Sequence, residues 1–393
     1  LGEIKADLQV TGLLNQPQVS IDAISTKQTR IDRIDFRPGS TANIQVIGSD
    51  LSVTRFQAIP TVGGRLTGRG TIEFEETRGQ GEKNSKYLFD LQANNVPAQA
   101  IARLYQTTIP VEIGLVSGVA RFLGTLENLD KSKATGSANF RLGGGTVRAS
   151  NFRYANGQWQ GIVQTSGVSV ASLNPSAPTQ VGQGRVDSNL TVFGTLDSFK
   201  LDAMRATGSA NIAIANGLVK ARDLTLANGR WVSNVQAQGL VLDRLVPNVP
   251  SGAKGILNGT FNLAGRVDDV IDNLQGIGKG SLTLPKGAIA AEQIQLSQGK
   301  FQASLTPQNL ALRQFSQELR GELAGKLDVF GTLENPNLKT VQASGELRFS
   351  EGIHAIAKPL TTVINWNGQR LGIERATADG INAVDGQILL LNC

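Results

Sequence analysis

The sequence predicts an all-β fold: an elongated repeat of mostly antiparallel strands forming a curled, trough-like sheet, a β-groove or β-taco, with an apolar interior and short helices in loops. Three observations predict it. Apolar and polar residues alternate with a period of two, glycine-centred phrases return about every 70 residues, and no long amphipathic helix is available to cover an apolar sheet face.

The alternation defines the strands. Ile4, Ala6, Leu8 and Val10 alternate with Glu3, Lys5, Asp7 and Gln9, and residues 323–329 do the same against Glu322, Lys326 and Asp328. Because successive strand side chains point to opposite faces, such segments have one apolar and one wet face. Asn156-Gly157, Asn228-Gly229 and Gly143-Gly144 supply the positive φ of tight hairpins, so neighbouring strands run antiparallel. Residues 97–106 place Ile101, Leu104 and Tyr105 at helical spacing behind Pro97, a residue suited to a first helical position. Similar short stretches lie at 242–246 and 310–315. Each repeat therefore reads as about five strands and a loop carrying a short helix.

The repeat rests on three phrases. A glycine followed by apolar residues two and four positions on starts at Gly70, Gly136, Gly208, Gly280 and Gly345, with spacings of 66, 72, 72 and 65. Pairs of apolar residues precede Gly12, Gly124, Gly194, Gly265 and Gly331, and three of these glycines open nearly the same turn, Gly-Thr-Leu-Glu/Asp-Asn/Ser. Ala155-Asn-Gly-Gln-Trp159 returns 72 residues later as Ala227-Asn-Gly-Arg-Trp231. The expected organisation is one continuous repeat domain over residues 1–393, a piece of a longer chain. Its approximate units are 1–69 (degenerate), 70–135, 136–207, 208–279, 280–344 and 345–393 (incomplete).

The alternation also names the strip that lines the interior. It comprises Leu8, Val10, Ile72, Phe74, Phe122, Ala138, Phe140, Leu142, Leu190 and Val192. Further along it holds Ile212, Ile214, Phe261, Leu263, Leu282, Leu284, Leu327, Val329, Leu347 and Phe349. Bulky and small residues mix along it, which suits both a filled core and an open groove for acyl chains.

Composition excludes most site chemistry. One histidine, His354, and one cysteine, Cys393, cannot build a His/Cys metal site or an internal disulfide. The carboxylate pairs Glu75/Glu76 and Asp268/Asp269 are adjacent on strands and point apart, so neither converges on a substrate atom. Glu127, Asp197 and Glu334 recur as turn chemistry does. Glycine runs at 142–146 and 276–280 lead into strands, where a phosphate loop would open a helix. No catalytic residue, metal or other cofactor is expected, and the chain does not read as an enzyme. The net charge is +6 with 5% aromatic residues, short of the aromatic-laced basic stripe of a nucleic-acid binder. Three Trp and three Tyr are too few for the girdles of a membrane barrel.

The recurring Gly-Thr-Leu-Glu-Asn turn, the glycine-led strand after it, and the closing Asn367-Gly-Gln-Arg-Leu and Ala376-Thr-Ala-Asp-Gly segments resemble the TamB family of AsmA-like, repeating-β-groove proteins, which includes a chloroplast inner-envelope relative. The resemblance implies a bridge-like lipid-transfer segment carrying phospholipid acyl chains between inner and outer membranes. It places the chain in the periplasm or intermembrane space of a two-membrane envelope, anchored to the inner membrane outside this segment. Implied partners are phospholipid, the two membranes, and an outer-membrane assembly protein of the BamA/TamA type or its chloroplast import-channel relative. The alternative is a scaffold or chaperone that takes up strands of outer-membrane barrel proteins.

Overall fold

The computed structural model describes residues 2–14, 16–31, 33–74, 85–104, 112–195, 202–246, 249–268, 272–317, 320–334, 339–351 and 358–389. Glu75, Glu76, Lys83, Tyr105, Asp197, Asp269, His354 and Cys393 lie outside them. The chain divides into two compact units, Leu1–Ala177 with Arg185–Ala206, and Pro178–Gly184 with Thr207–Cys393.

In the first unit, strands from Ile4–Leu13 to Arg185–Thr195 pair antiparallel in chain order. Among the described residues, only the hairpin Thr29–Ile31/Ile34–Phe36 stands apart, as a two-stranded sheet. The second unit repeats the plan from Gly217–Ala227 to Ile381–Leu389. The expected all-β, antiparallel class is what the chain adopts.

Short helices punctuate the strands at one position in the repeat. Ala98–Leu104, Val170–Leu173 and Leu242–Leu245 are α-helical, and Leu312–Gln314 is a 3-10 turn. Between the first two lie Leu115–Thr125, Asn128–Leu142, Gly145–Ala155 and Gln158–Ser169; between the last two lie Ile256–Arg266, Gln275–Thr283, Ala288–Ser297 and Lys300–Gln308, followed by the two-residue Leu310–Ala311. A repeat therefore holds four full strands, where the sequence pattern suggested five. Long strands such as Asn128–Leu142 absorb residues that alternation alone divides in two.

The hairpins at Asn156-Gly157, Asn228-Gly229 and Gln298-Gly299 have positive φ at both central residues, between 50° and 75°, the signature of a type I′ turn matched to strand twist. Two further left-handed positions recur inside strands. Asn95, Gly167 and Gly239 sit where the register slips between Ala93/Val96, Thr165/Val168 and Ala237/Leu240. Asn151, Asp223 and Gln293 do the same on another strand of each repeat. Each extra residue is a β-bulge. It moves the apolar side chains from one parity to the other without turning them over. Val147 and Ala149 are followed by Phe152 and Tyr154, and Ile289 and Ala291 by Ile294 and Leu296, all on one face.

Tight burial is local. Leu142, Val147 and Val168 form a buried cluster beside the helix Val170–Leu173, with Phe140 and Val163 packed on it. Val168 is fully buried. Val168→Ala is expected to cost about 2 kcal/mol, between the usual Ile→Val and Leu→Ala losses, read as a lowered urea midpoint with an unchanged slope.

Candidate functional site

Pairing register carries side chains from strand to strand and shows which of them share a face. In the first unit an unbroken row runs Leu8, Ile21, Ile44, Val53, Gly70, Phe89, Phe122, Ala134, Tyr154, Trp159 and Gly194. Val10 continues through Val19, Val46 and Leu51 to Ile72. Ala138 leads through Ala149 and Val163 to Leu190. Phe140, Leu142 and Val192 are on this face by strand alternation, and Phe74 follows Ile72 just past its strand's end.

The second unit has an equivalent row: Val219, Ala237, Gly259, Gly280, Ala291, Leu305, Leu327, Gly345, Ile364 and Ile373. Phe261, Leu263, Leu282, Val329, Leu347 and Phe349 stand beside it on the same face, with Leu284 two residues beyond Leu282. Ile212 and Ile214 keep strict alternation along Arg205–Ile214, less exposed than their neighbours. Within each unit register and strand alternation put these residues on one sheet face, except that Ile212 and Ile214 are placed only by alternation along their own strand. The sequence reading missed the members beyond the bulges, among them Phe152, Tyr154, Ile294 and Leu296; the signal was an Asn, Asp or Gln at 151, 223 and 293, where the apolar parity slips.

This face is not sealed. Of the twenty strip residues, only Leu142, Leu284, Val329 and Leu347 are buried, at 6–8% exposure. Phe122, Phe140, Leu190, Val192, Phe261 and Leu263 are half-buried, and Leu8, Val10 and Phe74 are exposed. Side chains interdigitating across a filled core would be almost fully buried. Among the described residues, the close backbone contacts of each strand are with its pairing partners and with short helices at strand ends.

The face stays continuous because glycines accommodate its aromatic rings. The glycine that follows the apolar pair lies directly opposite an aromatic residue four times: Gly124 opposite Tyr87, Gly194 opposite Trp159, Gly265 opposite Trp231, and Gly331 opposite Phe301. A Cβ on Gly194 would stand 2.5 Å from the Trp159 ring, and one on Gly265 2.9 Å from the Trp231 ring. Each ring therefore lies flat over a backbone that only glycine leaves open. Trp159 also stacks on Phe152 at 6.3 Å between centroids and donates its indole N–H to the Thr195 carbonyl at 3.2 Å.

The opposite face is polar. Glu127 of the recurrent turn accepts the Ser85 backbone N–H, at 2.9 Å to one carboxylate oxygen and 3.0 Å to the other, which is the turn role expected of it. Asp268 pairs with Arg266 at 2.9 Å. Arg30 pairs with Asp35 at 2.8 Å, while Arg33 and Arg37 reach the backbone carbonyls of Leu104 and Thr61.

One bidentate ion pair joins neighbouring strands of the main sheet. Arg121 Nε and Nη2 donate to the two carboxylate oxygens of Asp90 at 2.6 and 2.9 Å. Arg69 Nε lies 3.5 Å from the same group. The Arg121 hydrogen bonds hold the Asp90 carboxyl below its ordinary value, and the same pairing raises the Arg121 guanidinium. A depressed carboxyl pKa adds stability that is present above the unfolded value and is lost as pH falls through the folded one. The acid limb of the unfolding profile is therefore expected to flatten in Asp90→Asn, with no change at neutral pH in how stability varies with pH.

Among the described residues no group of His, Cys, Asp and Glu side chains could hold a metal ion, and no helix is long and apolar enough to cross a membrane. Compared with protein-family models, curated proteins and solved structures, the chain matches none.

Proposed function

We propose that this chain is a segment of a bridge-like lipid-transfer protein of the TamB and AsmA-like kind. Phospholipid acyl chains lie along the apolar face while headgroups stay in water. The observation that carries this reading is the half-buried state of Phe122, Phe140, Phe261 and Leu263 on the apolar sheet faces that the register assembles within each unit. Covering such a surface with hydrocarbon yields about 25 cal/mol for each Å² removed from water, and a single acyl chain contributes about 0.8 kcal/mol for each CH2 buried. A strip without a dedicated pocket suits a chain-like ligand that slides. The setting that fits is the periplasm or intermembrane space of a two-membrane envelope, with both membranes and an outer-membrane assembly protein as partners and with no catalytic step.

A photo-crosslinking amino acid placed at Phe122, Phe140 or Phe261 is expected to label phospholipid. The same group at Arg148 or Gln164, on the polar face, is expected to label none. Adducts with protein alone would overturn the lipid reading, and adducts with an unfolded barrel protein would favour the strand-capturing scaffold in its place.

A further inference from the structure

The polar face of the first unit carries a feature that lipid transport along the other face does not use. A concavity of about 570 Å³ opens over the strands Asp50–Ala58, Arg65–Glu73, Lys86–Pro97 and Leu115–Thr125, and it is lined by Arg55, Arg69, Asp90 and Arg121 with Thr67 and Thr135. Gly68 and Gly136 also line it. Three arginines and a single carboxylate thus line one concavity, and two of the arginines, Arg69 and Arg121, contact that carboxylate.

The distribution of charge is one-sided. Asp90 is engaged at both oxygens by Arg121, and Arg69 has only the longer 3.5 Å contact. Arg55 has no carboxylate partner among the described residues. It sits in a register slip where Thr54 and Arg55 together oppose Arg69. Like charges facing each other across a strand pair are destabilising.

The repeat supplies its own comparison. Counting from the aromatic residue that covers the turn glycine, the cross-strand triplet Arg69, Asp90, Arg121 corresponds to Ser150, Ile162, Thr191 in the next repeat. It corresponds to Arg222, Asn234, Asn262 and then to Glu292, Ser304, Asp328 in the following two. The fold thus accepts apolar, amide or acidic side chains at these places. A concavity is also present over Arg222, Asn234 and Asn262, so the shape recurs without the arginine cluster.

We propose that the concavity binds a phosphate-class oxyanion between Arg55 and the Arg69/Arg121 pair. The planar donors of arginine match tetrahedral oxyanions by paired N–H···O bonds, and the Thr67 and Thr135 hydroxyls add neutral donors at the rim. The acyl-lined face is on the other side of the sheet, so the phosphate is not that of a lipid lying along the strip. Its source is a free phosphate or phosphate ester, or a headgroup in a membrane surface against which this face rests.

Titration of the whole chain with inorganic phosphate, followed by calorimetry, tests the proposal. Binding is expected to weaken about tenfold in Arg55→Ala and in Arg69→Ala, and to weaken as salt rises from about 50 to 200 mM. Arg222→Ala, in the equivalent concavity, is expected to bind as the parent does. Arg55→Ala removes no ion pair, so its thermal midpoint is expected to stay put; this separates lost binding from lost structure. Asp90→Asn is expected to bind more tightly, because it frees two guanidinium groups. Flotation with vesicles of phosphatidylglycerol, set against phosphatidylcholine, identifies the source. Binding to phosphatidylglycerol alone, lost in Arg55→Ala, assigns a membrane headgroup; binding to phosphate in solution assigns a free oxyanion. Absence of both, or binding unchanged in both arginine variants, overturns the proposal.

Discussion

Gly194→Val is expected to destabilise the first unit by about 2–3 kcal/mol, although valine suits a strand. Gly194 has no left-handed backbone requirement, so the cost is steric and comes from Trp159. The new side chain would start 2.5 Å from the indole ring, and the ring cannot stay. Displacing it breaks the indole N–H bond to the Thr195 carbonyl and separates the ring from Phe152. Overpacking of this kind costs about 1–3 kcal/mol, and the lost hydrogen bond adds about 1. The measurement is chemical unfolding followed by tryptophan fluorescence. A second variant shows whether the ring is the cause: combined with Trp159→Ala, the same valine should cost much less than the two single changes together. Strictly additive losses would mean that glycine is needed there for some other reason.

Phe261→Asp is expected to reduce phospholipid transfer or loading at least tenfold while the sheet persists. The Phe261 ring lies across Gly278 on the neighbouring strand, half-buried in the strip. A carboxylate there must either be desolvated beneath an acyl chain, at a cost of several kcal/mol, or hold water in the path. Asn262→Asp, one residue on and facing the other way, introduces the same charge and is expected to leave transfer intact. Far-ultraviolet circular dichroism verifies that both variants fold. Equal transfer by the two would remove the apolar face from the pathway.

Much of this architecture could be read from the sequence because its determinants are local. Alternation at Ile4–Leu13 and Glu322–Thr332, the Asn-Gly hairpins, and the helix behind Pro97 each depend on neighbours within a few residues. Three features depend on register and were not legible. The first is the strand count per repeat, since a long strand such as Asn128–Leu142 looks like two. The second is the set of bulges: Asn151, Asp223 and Gln293 share no residue type, only a left-handed backbone, which the first two adopt more readily than most. The third is the reason for the turn glycines. Gly194 and Trp159 are 35 residues apart, and nothing short of the pairing places one beneath the other. The arginine cluster was missed for the same reason, because Arg55, Arg69 and Arg121 are scattered in the sequence and adjacent only across strands.

The pairing order has a consequence for how the chain reaches its native state. Within each unit almost every strand bonds to the strands just before and after it. All-β proteins are commonly slow to form because distant segments must meet before any contact rewards them. Here the next partner is, with few exceptions, the next segment to arrive. The sheet can lengthen by adding one hairpin at a time, as a zipper closes, and a growing chain emerging from a ribosome or a translocon would carry only one unpaired margin at any moment.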